Sequence, residues 1–258
     1  MEEIEDDFPI QKYTVQLYYA PVKQNSVLDE ENIHPEQIAS GVLIQYFTKY
    51  FLVTCKHVFD NIKQEDVIIW LSAGFAVRLP NEVEFINDDK DSIDLALVEM
   101  KEERLEALKG QYSFLETEYI GLNHEFDEEL YYMLYGYINK KTFRDGFAFF
   151  ADPFGYLTNI RRYRKIEKLG FSYENNVTLE YNRRKQSYLY EEDENEILTF
   201  GPKDLRGLSG GGIWLSVEGK NPETYNYILV GIMIEERTDR GFVIGTKIGL
   251  IEKSLAKL

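Results

Sequence analysis

The apolar stretches of this chain are short, rich in β-branched and aromatic residues, and bounded by Gly, Asn, Asp, Pro or charged residues. Such runs read as antiparallel strands joined by turns. They cover residues 12–19 (KYTVQLYY), 41–47 (GVLIQYF), 50–54 (YFLVT), 67–71 (VIIWL) and 94–100 (DLALVEM). After a stretch that reads as a helix at 102–109, they resume at 130–138 (LYYMLYGYI), 147–150, 177–181, 211–217 (GGIWLSV), 227–234 (YILVGIMI) and 241–248. Residues 249–258 have apolar positions at helical spacing and predict a short closing helix. The expected class is all-β. No repeat or low-complexity linker divides the chain, and the polar, acidic stretch 116–129 is the best internal boundary. It separates a half at 1–120 from a half at 121–258. Periodicity does not choose between barrels and sandwiches.

Composition narrows the function classes. The 19 Tyr and 16 Phe suit the half-buried faces of sheets. A formal charge of −16 repels nucleic acid backbones and anionic membranes, so neither is an expected partner. Solubility explains the charge plainly; a basic protein partner or basic peptide substrate is the sharper reading. With Cys55 as the one cysteine, no internal disulfide can form. The opening MEEIEDDFPI has neither the positive region nor the apolar stretch of a signal peptide. No apolar run approaches the roughly 18 residues of a membrane span. These features predict a soluble, cytoplasmic protein. Cys and His are too few for a zinc cluster and no phosphate-binding loop is present, so no metal or cofactor is expected.

Three segments carry candidate chemistry: Thr54-Cys55-Lys56-His57-Val58 at a strand end, Asp94-Leu95-Ala96-Leu97-Val98 opening a strand, and Gly207-Leu208-Ser209-Gly210-Gly211-Gly212 entering one. Singly, each has a plain structural explanation: a capping histidine, a turn aspartate after NDDKDS, a glycine-rich turn. Together and in order they resemble the T-A-x-H-V, D-x-A-L-V and G-x-S-G-G motifs of trypsin-like (chymotrypsin-fold) serine peptidases. The separations, 94 − 57 = 37 and 209 − 94 = 115 residues, fit that family. The resemblance implies two six-stranded-type antiparallel β barrels packed side by side, His57 and Asp94 on the first and Ser209 on the second. It implies Ser209 as nucleophile, His57 as general base, Asp94 as the group orienting the histidine, and Gly207 and Ser209 N–H groups as an oxyanion hole. The lack of disulfides and of a signal peptide is similar to intracellular bacterial HtrA-like members.

The chain also departs from the pattern. Where secreted members place an aspartate that pairs with a new N-terminus, this chain has Leu208, so that activation mechanism looks absent. Gly212 replaces a frequent proline and predicts a more mobile turn; Cys55 reads as a small packed residue rather than a redox group. By the resemblance, the primary pocket is lined by 200–206, 230–233 and 241–245. There Asp204 would favour a basic side chain, Lys203 an acidic one, and the glycines and apolar residues a medium apolar one. Basic residues from Lys140 to Lys185 and the acidic stretch 188–197 read as solvated hairpin faces or as a docking surface for a regulatory protein partner. The expected activity is hydrolysis of protein or peptide substrates as a serine endopeptidase. The rival is a catalytically latent or inactive protease-fold interaction module that needs a partner.

Overall fold

The computed structural model describes residues 10–21, 35–71, 75–86, 92–145, 148–183, 202, 204–218 and 225–255. The strands form two sheets. The first contains β1 (Thr14–Tyr19), β2 (Glu36–Tyr46), β3 (Lys49–Thr54), β4 (Val67–Trp70), β5 (Ala76–Arg78), β6 (Glu84–Ile86) and β7 (Leu95–Met100), in the order β5-β4-β1-β2-β3-β7-β6. The second contains β8 (Tyr132–Asp145), β9 (Ala148–Thr158), β10 (Asn176–Glu180), β11 (Gly212–Glu218), β12 (Tyr225–Arg237) and β13 (Phe242–Lys247), in the order β10-β13-β12-β11-β8-β9. Each of these strand pairings is antiparallel. Helix α1 (Glu102–Lys109) follows β7, and a 3-10 turn with the short α2 (Glu252–Leu255) follows β13. Both lie where the spacing predicts helix.

The first sheet has seven strands rather than six because β5 and β6, three residues each, lie at its edges. Runs of AVR and EFI are too short to read as strands. The β8–β9 hairpin likewise extends beyond 130–138 and 147–150. Lys140-Lys141 and Asp152-Pro153 look like strand breakers in the sequence. Pro153 is accommodated because β9 is an edge strand, where a missing N–H costs no ladder bond on its outer side. The link between the sheets is bonded to both: Leu115 exchanges backbone bonds with Leu43 and Gln45, and Gly121 N–H donates to Leu229 O.

Stretches of β8, β11 and β13 in the second sheet read as continuous apolar runs because side chains on both of their faces are buried. Phe242 and Ile244 of β13 pack into one core with Val15, Leu43 and Leu52 of the first sheet, whereas Val243 between them points into a second core. On β11 Trp214 and Ile213 divide the same way, and on β8 Met133 and Tyr135 divide from Tyr132 and Leu134. Side chains alternate across a strand, so one face closes the second barrel and the other packs against the first. Gly212 is not a loosening substitution. It begins β11, paired with Tyr135 and Ile232, and a Cβ there would lie 2.2 Å from the indole nitrogen of Trp214. Close coverage by the Trp214 ring is what demands glycine.

Candidate active site

His57 and Asp94 are brought together by strand register. β3 ends on Thr54, which pairs with Ala96 of β7. Continuing that antiparallel ladder by two residues sets Asp94 opposite Lys56, beside His57. Past β3 the chain turns through a 3-10 segment, Lys56–Phe59, anchored by the buried Val58 and Phe59. That leaves the His57 side chain turned outward and 42% exposed. Both Asp94 oxygens are used on it: Oδ1 accepts the His57 backbone N–H at 2.9 Å, and Oδ2 lies 2.5 Å from Nδ1. Burial opposes charge on the imidazole. The bond to Asp94 and the negative charges of Asp94, Asp60 and Glu235 outweigh it, so the pKa of His57 is raised above the usual 6.5.

Cys55 is fully buried, and its thiol donates to Met233 O of β12 at 3.1 Å, joining the two sheets behind the histidine. Burial, with the Asp94 charge added, pushes this thiol well above the ordinary range, which makes it a packing residue rather than a nucleophile. Among the described residues, Cys55, His57 and Asp94 form the one grouping with metal-ligand atoms within 4.8 Å of one another. Cys55 Sγ is bonded to Met233 O, whereas His57 Nδ1 and Asp94 are bonded to each other.

The loop before Ser209 is held peptide by peptide. Arg206 O accepts from Asn139 N–H (2.9 Å), so the N–H of that same peptide, on Gly207, points the other way. The next peptide is bonded at both ends: Gly207 O accepts from Ser40 Oγ (2.8 Å), and Leu208 N–H donates to Leu205 O (2.9 Å). In the third, Leu208 O accepts from Gly211 N–H (2.8 Å), which turns the Ser209 N–H outward. The fourth is again bonded at both ends, Ser209 O by Ser40 N–H and Gly210 N–H by Met233 O, each at 2.8 Å. Among the described residues, nothing accepts from the N–H groups of Gly207 or Ser209. Gly207 at φ +96° and Gly210 at φ +86° make this tight path possible. Leu208, at the position of the missing aspartate, is fully buried in the second core.

The charged alternatives for the pocket resolve unevenly. Asp204 turns back on its own loop: Oδ1 accepts from Arg206 N–H at 3.0 Å and Oδ2 from Arg206 Nε at 2.8 Å. Lys203 and 188–197 lie outside the described residues, as do the side chains of Lys140, Lys141 and Arg144. A Cβ on Gly245 would lie 2.1 Å from Ile213 Cδ1 and one on Gly231 would lie 3.0 Å from Thr246 O, so both glycines are packed against the protein's own atoms. The carboxylate that does reach the segment before the serine is Glu236, whose Oε2 accepts Leu205 N–H at 2.5 Å. Its neighbour Glu235 is half-buried, pairs with Arg237, and has its carboxyl pKa raised by burial. Sequence reasoning passed over both; the one available signal was the abrupt change from YILVGIMI to Glu-Glu-Arg. Of the basic stretch, Arg161 donates to Gly241 O and Arg162 pairs with Glu128, as solvated hairpin faces do. Among the described residues no helix is long and apolar enough to cross a membrane.

No family model matches this chain, and no curated protein matches it in sequence. In structure it is similar to GrC, with a TM-score of 0.55 at 14% identity over 95% of this chain and 93% of that one. It is also similar to the scabies mite inactivated protease paralogue S-I1, with a TM-score of 0.55 at 13% identity over 97% and 95% of the two chains. The fold is the chymotrypsin-like pair of antiparallel barrels. A protein described as inactivated shares it, so the fold by itself does not decide activity.

Proposed function

We propose that this protein is a serine endopeptidase that works through an acyl-enzyme on Ser209. The observation that carries the reading is a histidine held by both oxygens of Asp94, together with N–H groups on Gly207 and Ser209 for which the described residues provide no acceptor. In this reading Ser209 Oγ attacks the substrate carbonyl carbon while its proton passes to His57 Nε2. Asp94 keeps the remaining ring proton on Nδ1 and stabilises the imidazolium. The carbonyl oxygen, now an anion, accepts from the Gly207 and Ser209 N–H groups. The C–N bond breaks as Nε2 returns the proton to the departing amine, and water repeats the sequence on the acyl group. The buried, unreactive Cys55 and the absence of any second cysteine suit the cytoplasm, where we place the protein.

A non-catalytic interaction module is the second reading, favoured by Leu208 and by the inactivated protein of the same fold. A fluorophosphonate probe separates the two. A peptidase gains one adduct by intact mass, mapped to Ser209 by fragmentation; a folded protein that gains none is the interaction module.

The labelling rate is expected to depend on pH with a definite sign. His57 must be neutral to take the serine proton, so the rate rises with pH through a midpoint above 6.5 and falls tenfold per unit well below it. A pH–rate profile with its midpoint at or below 6.5 contradicts this. The same raised pKa links to stability. The histidine's contribution is fully present below its unfolded pKa of about 6.5 and is lost as pH rises through the folded value. The enzyme therefore works in the range where this contribution has gone.

A further inference from the structure

We propose that Ser40 is a positioning residue of this site, its hydroxyl holding the Ser209 loop in the shape that turns the Gly207 and Ser209 N–H groups toward substrate. The inference rests on the peptidase reading above. Ser40 lies on β2, in the other sheet from the loop it touches, and is fully buried. A buried hydroxyl must find partners, and every one of these belongs to the second sheet or its loops. Oγ donates to Gly207 O at 2.8 Å, with a weaker contact to Tyr137 O at 3.3 Å, and accepts Tyr137 N–H at 2.9 Å. The Ser40 backbone completes the grip: its N–H binds Ser209 O at 2.8 Å, and its carbonyl accepts from Thr54 Oγ1 at 2.7 Å. One residue thus ties β3, β8 and both sides of Leu208 together.

The surroundings are shaped to admit that residue. A Cβ on Gly136 would lie 2.9 Å from Ser40 Oγ, and one on Gly210 would lie 2.0 Å from Ser40 O. Among the described residues of the loop, no side chain is bonded to Gly207 O. Leu208 is apolar, and Asp204 and Arg206 are spent on each other. The peptide after Gly207 has its N–H bonded only within the loop, to Leu205, so the Ser40 hydroxyl is what ties this peptide to the rest of the protein. Removing the hydroxyl would leave a buried carbonyl without its partner beside a glycine at φ +96°, where no side chain restrains the backbone.

The test compares wild type, Ser40→Ala and Ser40→Thr by fluorophosphonate labelling and by hydrolysis of a peptide substrate that wild type cleaves. Ser40→Ala is expected to fold, to lower kcat and the limiting labelling rate about 10- to 100-fold, and to leave KM within about 3-fold. The His57 titration seen by NMR should not move, because Ser40 does not touch the ring. Ser40→Thr, which keeps the hydroxyl, should recover most of the rate. A purely structural role predicts a lower melting temperature with wild-type kcat in the folded protein, and that result overturns the proposal. If Ser40→Ala does not fold, Ser40→Cys, a weaker donor, is read instead: a rate below wild type at unchanged KM supports the clamp, and a wild-type rate overturns it. Failure of wild type itself to label removes the peptidase reading, a different outcome from equal labelling of wild type and Ser40→Ala.

Discussion

Asparagine at position 94 is expected to leave the protein folded and to lower turnover by about ten-thousand-fold. The size follows from how the two oxygens are used. Oδ1 binds the His57 backbone N–H, a donor that cannot change its role, while Oδ2 faces Nδ1. An asparagine keeps the backbone bond by placing its amide oxygen there, so its NH2 must face the ring. Nδ1 then becomes an acceptor and the ring proton moves to Nε2, the nitrogen that takes the serine proton in the proposed mechanism. The site keeps its shape and loses its base. Labelling by the fluorophosphonate and peptide turnover should fall together while the melting temperature changes little. A loss of less than about tenfold would mean that Asp94 does not set the tautomer.

Alanine at position 210 is expected to be the most damaging single methyl group that can be added to the loop. Gly210 sits at φ +86°, where a side chain costs about 1–2 kcal/mol. Its Cβ would also lie 2.0 Å from Ser40 O and 2.3 Å from Thr54 Oγ1, the two ends of a buried hydrogen bond. Opening that bond and overpacking the site add about 2–4 kcal/mol, for a total of about 3–6 kcal/mol. That is a large fraction of the roughly 5–15 kcal/mol that holds a domain of ordinary stability folded. Urea unfolding should show a lower midpoint with an unchanged slope. Labelling should drop by at least about 100-fold, because Gly210 N–H holds the serine segment to Met233. Gly170 supplies the control. It has nearly the same φ, +88°, but nothing within 4 Å of an added Cβ, so Gly170→Ala should show the backbone cost alone. Equal destabilisation by the two substitutions would show that the Ser40–Thr54 contact is not the cause.

Strand positions were legible because the signal is local. The runs at 211–217, 227–234 and 241–248 reappear as β11, β12 and β13 with small changes at their ends. Where the reading fell short, polar residues interrupted an element that partner strands nevertheless sustain, as in β8 beyond Ile138. Gly212 misled for a different reason. Its role depends on the Trp214 ring lying over it, and no rule about turns contains that contact.

The all-β class, the two helices after β7 and β13, and the three motifs with His57, Asp94 and Ser209 in order can all be read from the chain alone. These are properties of short segments and of their succession along the chain. The register that sets Asp94 against both donors of His57 comes from the packing of strands far apart in sequence. The same packing brings Glu236 to Leu205 N–H and Ser40 to Gly207, 167 residues away, while Asp204 folds back on Arg206. Those facts depend on how two sheets pack, and a shift of one residue in a strand would reverse the face of every side chain on it.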